Sequence, residues 1–196
     1  MSLVDLIARA DERALAASGL ACLDRCVPLL GGDDDILRPL WASLAEGQEW
    51  QERLAKARAE LGEAHVKGDA ADAGDPECAF EAEAARLARR MLEAVPEEPS
   101  ADALRRWADG CSVAALQVHR LLDPADDDGD SEVTACREGR TDGIPPLVAA
   151  ELRRQVAVLE LVTGHGVGGL RHALEVSTEG RRVLRAVVSR RARGRG

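Results

Sequence analysis

The segment Ser100–Leu122, SADALRRWADGCSVAALQVHRLL, decides the fold class of this chain. Its apolar residues recur every three or four positions, which is the spacing of one face of an α-helix. Ser100 precedes them and is a preferred N-cap residue, so we predict that a helix begins there. The predicted core side of this helix consists of Leu104, Trp107, Cys111, Ala114 or Ala115, Val118 and Leu122.

The same spacing recurs along most of the chain and predicts further helices on both sides of this one. Ser2 and Asp5 form a short capping box, and Pro76 and Pro146 stand at favoured first positions of helices. We predict helices from Ser2 to just before Gly19 and over 20–30, 36–46, 48–65, 76–95, 100–122, 146–163, 170–176 and 178–192. The predicted core side of the fifth is Phe80, Ala84, Leu87, Met91 and Val95.

Two tryptophans fix one boundary between these helices. Trp41 and Trp50 are nine residues apart, so one straight helix would place them on opposite faces. A break at Gly47 lets both face the core. We therefore predict that Trp50, Leu54, Ala57, Leu61 and Ala64 belong to a separate helix.

Composition supports an all-α fold in one domain. Aromatic residues make up 2% of the 196 residues, and strands draw on aromatic and β-branched side chains. A chain of this length forms one full-sized core. We predict an irregular bundle of about seven to nine helices in a single domain over 1–196, with loops at 66–75 and 123–143. The second of these is acidic, and we expect it to be flexible.

Charge is distributed unevenly along the chain. The formal net charge is −9, with residues 1–150 carrying 16 Lys+Arg against 31 Asp+Glu and residues 151–196 carrying 10 Arg against 4 Glu. The first part is therefore at −15 and the second at +6. An acidic body argues against nonspecific binding of nucleic acid by the whole domain.

The basic end is the most distinctive candidate for an interaction. Residues 181–196 contain seven arginines and no acid, and Val183, Leu184, Val187 and Val188 form a narrow apolar stripe. A basic amphipathic helix of this kind can contact an acidic protein surface, a phosphate backbone or an acidic membrane surface. The tail 189–196 follows it. The candidate interaction surface comprises Arg181, Arg182, Arg185, Arg190, Arg191, Arg193 and Arg195.

The sequence predicts a cytoplasmic protein without a membrane span. Its N-terminus reaches an acid at Asp5, unlike an export signal, and no run free of charged residues is long enough to cross a bilayer. The five cysteines are odd in number and scattered, which fits reduced thiols. Arg outnumbers Lys 24 to 2, a composition typical of GC-rich actinobacterial genes.

Metal-binding and catalytic patterns are incomplete. Asp33–Asp35 and Asp126–Asp128 resemble divalent-cation clusters, but the second lacks the first and twelfth ligands of a calcium loop and both fit caps and turns. Cys22 and Cys26 supply two ligands where structural zinc needs four. His65, His119, His165 and His172 have no zincin or di-iron spacing. We predict no cofactor, metal or catalytic residue.

Gly164–Gly169, GHGVGG, matches the glycine pattern of dinucleotide-binding turns. That reading needs a strand before the glycines and an acid about 20 residues after them. Val156–Val162 has helical spacing instead, Glu151 lies off its stripe, and position 184 is Leu. We predict a joint between two helices, which could act as a hinge.

Three functions are compatible with these patterns. The first is a non-catalytic protein that acts through protein–protein contacts, as an adaptor, an accessory factor or a self-associating subunit. The second is a nucleic-acid-associated regulator that uses the arginine-rich end, whose binding would weaken steeply with salt. The third is a small metal- or ligand-dependent helical enzyme, which requires Asp33–Asp35, Asp126–Asp128, Cys22, Cys26 or the histidines to converge in space.

Overall fold

The computed structural model describes residues 1–47, 50–66, 76–123 and 131–194. Within these ranges it contains nine α-helices and no strand, which confirms the all-α prediction. In chain order the helices are α1 (Leu3–Arg9), α2 (Glu12–Cys26), α3 (Arg38–Glu46), α4 (Gln51–Val66), α5 (Pro76–Glu93), α6 (Ala101–Leu121), α7 (Ser131–Arg137), α8 (Pro146–His165) and α9 (Val167–Gly194).

Helix α2 lies at the centre of the bundle and packs against α6, α8 and α9. Every residue from Ala14 to Cys26 is buried. Since all sides of this helix are covered, its apolar residues need no single stripe. The charged residues Asp24 and Arg25 in its last turn are therefore also buried.

The first predicted helix is two helices in the structure. The capping box of Ser2 and Asp5 is confirmed, but α1 ends at Arg9 and Asp11 caps α2 by accepting from the backbone N–H of Ala14 at 2.8 Å. The prediction that Gly19 ends a helix was wrong. A Cβ added at Gly19 would lie 2.6 Å from the Trp107 ring, so this glycine permits close packing of α2 on α6.

The break between α3 and α4 is confirmed. Gly47 has φ +66°, a left-handed conformation that glycine adopts readily, and it caps α3. Trp41 and Trp50 are both buried, and the Trp50 ring meets Trp107 edge to face with centroids 6.0 Å apart. Ala64 belongs to α4, but its side chain lies outside the description, as does most of the predicted loop 66–75.

Two predictions about α5 and the acidic loop were wrong. Phe80 is 46% exposed, because burial of the α5 face begins one turn later, at Ala84. Part of the predicted loop 123–143 is helix α7, which places Val133 and Cys136 in the core. The acidic residues 124–130, including Asp126–Asp128, lie outside the described ranges.

The glycine segment joins two helices, as predicted. Val156–Val162 lies inside α8, so no strand precedes the glycines and the dinucleotide reading is excluded. Gly166 separates α8 from α9, and a Cβ at Gly169 would lie 2.1 Å from the Leu161 carbonyl oxygen. The prediction of two pieces over 170–176 and 178–192 was wrong, because α9 is continuous.

Within the described ranges, no helix is both long enough and apolar enough to cross a membrane.

Candidate functional site: a charged cleft beside helix α9

Adjacent residues in the last turns of α2 carry opposite charges and point to different helices. Side chains of neighbouring helical residues are about 100° apart. Arg25 reaches Glu151 on α8, and Asp24 reaches Arg181 on α9. Two buried ion pairs therefore lie side by side in the core.

The Arg25–Glu151 pair is fully enclosed. Arg25 Nε donates to Glu151 Oε2 at 2.8 Å, Arg25 Nη2 donates to Oε1 at 2.6 Å, and both side chains are 0% exposed. Gln155 Nε2 adds a bond to Oε1 at 2.9 Å. Burial raises the pKa of Glu151, but attraction to Arg25, with smaller contributions from His119 and Gln155, outweighs it and lowers the pKa below the usual value.

His119 borders this pair, and burial disfavours its charged form. Its Nδ1 donates to the Ala115 carbonyl oxygen at 2.8 Å, so the unprotonated Nε2 faces Glu151 Oε2 at 3.6 Å. Burial lowers the pKa of His119 more than Glu151 raises it. Nε2 has no hydrogen-bond partner among the described residues.

The network around the pair continues to α6 and α7. Ser112 Oγ donates to Gln155 Oε1 at 2.7 Å, and Arg137 Nε donates to Ser112 Oγ at 3.1 Å. Arg137 also pairs with Asp109. Four helices are thus connected by polar contacts, which gives this part of the core a defined register.

The Asp24–Arg181 pair is incomplete. Arg181 Nη1 donates to Asp24 Oδ1 at 2.6 Å, and the side chains are 1% and 7% exposed. Asp24 Oδ2 and Arg181 Nε are buried without a hydrogen-bond partner in the described structure, although Nε lies 3.4 Å from Asp34 Oδ1. Burial raises the pKa of Asp24 to about 6, because it outweighs the attraction of Arg181 and Arg25.

This second pair borders a cleft of about 790 Å³ between the first half of α9 and the turn at Asp33–Asp35. Leu174 and Thr178 contribute its uncharged lining. The charged lining comprises five carboxylates (Asp24, Asp34, Asp35, Glu175 and Glu179) and four guanidinium groups (Arg38, Arg171, Arg181 and Arg182).

The charges at the rim are held loosely. Arg38 pairs with Asp35 at 3.4 Å with both side chains about 70% exposed, and Arg171 pairs with Glu175 at 3.4 Å with exposures of 85% and 60%. Exposed pairs of this kind contribute about 0–1 kcal/mol and rearrange easily. Arg182 is exposed and forms no ion pair within the described residues, so its guanidinium is available.

A second cavity, of about 780 Å³, lies near the starts of α2, α4 and α6 and is lined in part by Trp50. Its charged residues Glu12, Arg13 and Glu98 are all exposed. It therefore lacks the buried charges that distinguish the cleft beside α9.

The structure divides the predicted arginine surface into two groups. Arg181 and Arg185 both contact Asp34, and Arg191 lies 3.7 Å from Glu81 and donates to the Leu122 carbonyl oxygen at 3.3 Å. These three arginines dock α9 on its own acidic body. Arg182, Arg190 and Arg193 are exposed and form no ion pair within the described residues, and Arg195 lies outside them.

The aspartates of the first acidic cluster serve the turn and the arginines. Asp33 Oδ1 accepts from the Asp35 backbone N–H at 2.8 Å, and Asp34 meets two arginines. No group of three or more His, Cys, Asp or Glu side chains in the described ranges is arranged to hold a metal ion. Cys22 and Cys26 are buried free thiols, and burial raises the pKa of Cys22 to about 12.

Asp24 and Glu151 are the residues that sequence reasoning missed. Glu151 was placed off the apolar stripe, yet it is 0% exposed. Asp24-Arg25 stands in a stretch of small and aliphatic residues that extends from Ala14 to Leu30, and a charged pair in such a stretch signals buried charges with partners elsewhere. The partners themselves leave no local signal.

No protein-family model, curated protein or solved structure matches this chain.

Proposed function

We propose that this protein binds a small polar ligand in the charged cleft beside α9. The observation that carries the proposal is Asp24, which lines the cleft and whose buried Oδ2 has no hydrogen-bond partner among the described residues. An unsatisfied buried acceptor destabilises a protein by about 1–3 kcal/mol, so its position beside a cleft needs a reason. A ligand with a hydrogen-bond donor supplies one.

The size and lining of the cleft support this function. Ligand sites of small molecules usually have volumes of about 300–1,000 Å³ with a few convergent polar groups. The cleft has about 790 Å³, and Asp24 and Arg181 converge on it from α2 and α9. It also combines residues of the acidic turn and the basic helix, which the sequence could only describe separately.

The lining favours binding over catalysis. Thr178 contributes the hydroxyl group of the lining, and it donates to the Leu174 carbonyl oxygen of its own helix at 2.9 Å. Cys22 and Cys26 are not among the residues that line the cleft, and burial raises their pKa values. A nucleophile paired with a base is therefore not part of the proposal.

Thermal unfolding in the presence of a panel of small polar compounds tests this function. A compound present at about 100 times its dissociation constant adds about 2.7 kcal/mol of stability. For a chain of this size that raises Tm by roughly 5–11 °C. We expect at least one compound to do so, and Asp24→Asn to abolish most of the shift.

Asp102→Asn is the matched control, because Asp102 is 82% exposed at the start of α6 and is not part of the cleft lining. It should leave every ligand-induced shift unchanged. The proposal fails if no compound stabilises the protein, or if Asp24→Asn and Asp102→Asn respond to ligands alike.

A second candidate function is self-association through the far end of α9. Arg190 and Arg193 are exposed and form no ion pair within the described residues, while the body of the chain is acidic. We propose that these arginines contact the acidic surface of a second copy. Deleting the tail would also remove Arg191, which docks α9, so Arg190→Gln/Arg193→Gln is the better variant.

Light scattering after size-exclusion chromatography tests self-association. We expect a dimer at low salt that dissociates at high salt and in the double variant, because contacts between exposed charges are screened. A monomer at both salt concentrations contradicts the candidate. A gel shift with DNA that the double variant loses would reassign the same arginines to nucleic acid.

A further inference from the structure

We propose that the ligand of the cleft is a zwitterion that carries an ammonium and a carboxylate group, such as a free amino acid or a short peptide. In this arrangement the ammonium group binds Asp24 and the carboxylate binds Arg182. The inference rests on the proposed function and assigns a chemical class to the ligand.

The balance of charge in the cleft carries the first step. Five carboxylates and four guanidinium groups line it, and Arg185 from outside the lining pairs with Asp34. A purely anionic ligand would meet the carboxylates, and a purely cationic one would meet the arginines. A ligand that bears both charges, separated in space, finds a partner for each.

The Asp24 end of the cleft requires a donor. An ionised carboxylate only accepts hydrogen bonds, and Oδ2 of Asp24 is the oxygen that Arg181 leaves free. An ammonium group offers three donors and a positive charge. Because burial raises the pKa of Asp24 to about 6, the arrival of a cation replaces a proton that Asp24 holds in mildly acidic solution.

The groups that act on Asp24 come from three parts of the fold. Arg25 lies on the same helix, Arg181 lies on α9, and Asp34 lies on the turn. Both arginines favour the ionised form of Asp24, and Asp34 disfavours it. Asp34 is itself paired with Arg181 and Arg185, so the carboxylate with an unfilled oxygen is Asp24.

The Arg182 end of the cleft suits a carboxylate. Arg182 is exposed and unpaired in the described structure, and a guanidinium group binds a carboxylate through two parallel hydrogen bonds. Arg171, Glu175, Glu179 and Arg182 follow one another at helical spacing along the α9 wall, a length of about 16 Å at 1.5 Å per residue. This wall accommodates an amino acid or a peptide of a few residues.

Isothermal titration with matched probes tests the inference. The probes are glycylglycine, which is a zwitterion, glycylglycine amide, which is a cation, and N-acetylglycylglycine, which is an anion, together with the twenty free amino acids and their amides and N-acetyl derivatives. We expect the strongest zwitterion to bind at least about tenfold more tightly than either blocked form.

Two variants assign the ends of the ligand. Asp24→Asn should weaken the zwitterion and the amide, whereas Arg182→Gln should weaken the zwitterion and leave the amide unchanged. Arg105→Gln, at a half-buried arginine of α6 that is not part of the cleft lining, is the matched control and should change no affinity. Arg182 is exposed, so its variant gives an answer even if Asp24→Asn does not fold.

The outcomes separate the two proposals. The zwitterion inference is overturned if a blocked form binds as tightly as its zwitterion, or if Arg182→Gln weakens the amide, which has no carboxylate. The proposed function still stands in that case, provided that Asp24→Asn weakens binding. If neither Asp24→Asn nor Arg182→Gln changes the affinity of any probe or polar compound, both the proposed function and the zwitterion inference are overturned.

Discussion

Asp24 and Arg25 are neighbours in sequence, yet their ion pairs have opposite properties. Arg25 donates two hydrogen bonds to Glu151, and Gln155 donates a third. The attraction of Arg25 and these bonds outweigh burial, so the pKa of Glu151 is lowered. Asp24 accepts from one nitrogen of Arg181, and its Oδ2 has no partner among the described residues. Burial outweighs the attraction of the arginines, so the pKa of Asp24 is raised. The number of partners decides the difference, since both acids are buried.

The comparison separates a buried charge whose hydrogen bonds are filled from one that is left incomplete among the described residues. A buried pair whose hydrogen bonds are filled fixes the register of the helices around it, although its net contribution to stability is small. A pair with an unpartnered oxygen beside a cleft is a candidate for a binding site. The first pair fixes how the helices align, and the second borders the cleft in which we propose that a ligand binds.

The largest expected effect follows from breaking the enclosed pair. Glu151→Gln leaves Arg25 charged and buried without a counterion, and we expect the free energy of unfolding to fall by about 3–5 kcal/mol. Urea unfolding monitored by tryptophan fluorescence measures it. Arg25→Met/Glu151→Leu should recover most of this loss, because it removes both charges together. A loss below 1 kcal/mol in the single variant would show that the pair is solvated.

The Asp24–Arg181 pair should make the stability of the protein depend on pH. The folded-state pKa of Asp24 is raised from 3.8 to about 6, so the folded state binds a proton that the unfolded state releases. This stabilisation is complete below about pH 4 and is lost as the pH rises through 6, on the order of 3 kcal/mol. Unfolding of Asp24→Asn between pH 4 and 7 should lack this decline. Equal slopes in the two proteins would contradict the raised pKa.

His119, beside the enclosed pair, predicts a slope of opposite sign. Its pKa is lowered by burial despite Glu151, with Arg25 and Arg154 adding to the lowering. The unfolded state therefore binds a proton before the folded state does, and stability falls as the pH drops below the unfolded value of about 6.5. His119→Gln should flatten the slope between pH 7.5 and 6, whereas Asp24→Asn should steepen it, because Asp24 begins to bind its stabilising proton in the same range. An unaltered slope in His119→Gln would place the ring in contact with water.

The smallest effect is expected for the exposed contact between Arg185 and Asp34, which lies next to the Asp24–Arg181 pair. Arg185 contacts Asp34 with both side chains 47% exposed. Arg185→Gln should lower the free energy of unfolding by less than about 1 kcal/mol, and the difference should shrink with salt. Arg181→Gln, which leaves buried Asp24 without a cation, should cost more. If both variants lose the same amount, Arg181 is no more structural than its exposed neighbour.

Much of the fold could be predicted from local signals. Ser2, Ser100 and Pro146 mark helix starts, and Gly47 marks a helix end, because caps and fixed backbone angles act within a few residues. The error at Gly19 has a long-range cause. Gly19 was interpreted as a helix end, yet it lies inside α2 because Trp107 on a distant helix needs its space. Its role depends on what packs against it.

The candidate site was predictable only in part. The acidic turn and the basic helix were both recognised, but their meeting was not, because Asp24 and Arg181 are 157 positions apart. Asp33–Asp35 was assigned to a cap or turn, and Asp33 does bond the turn backbone, but the contacts of Asp34 with Arg181 and Arg185 were not foreseen. Long-range pairing of charges has no periodicity that a single sequence displays.

The sequence by itself determined that this chain is helical, where most helices begin, and that its two ends carry opposite charge. Those properties follow from spacing, caps and composition, which act along the chain. The tertiary structure alone decided that Arg25 is paired with Glu151 while Asp24, also buried, borders a cleft, and that part of the basic helix docks on its own body. Whether a buried charge is structural or available depends on the partners that the fold brings to it.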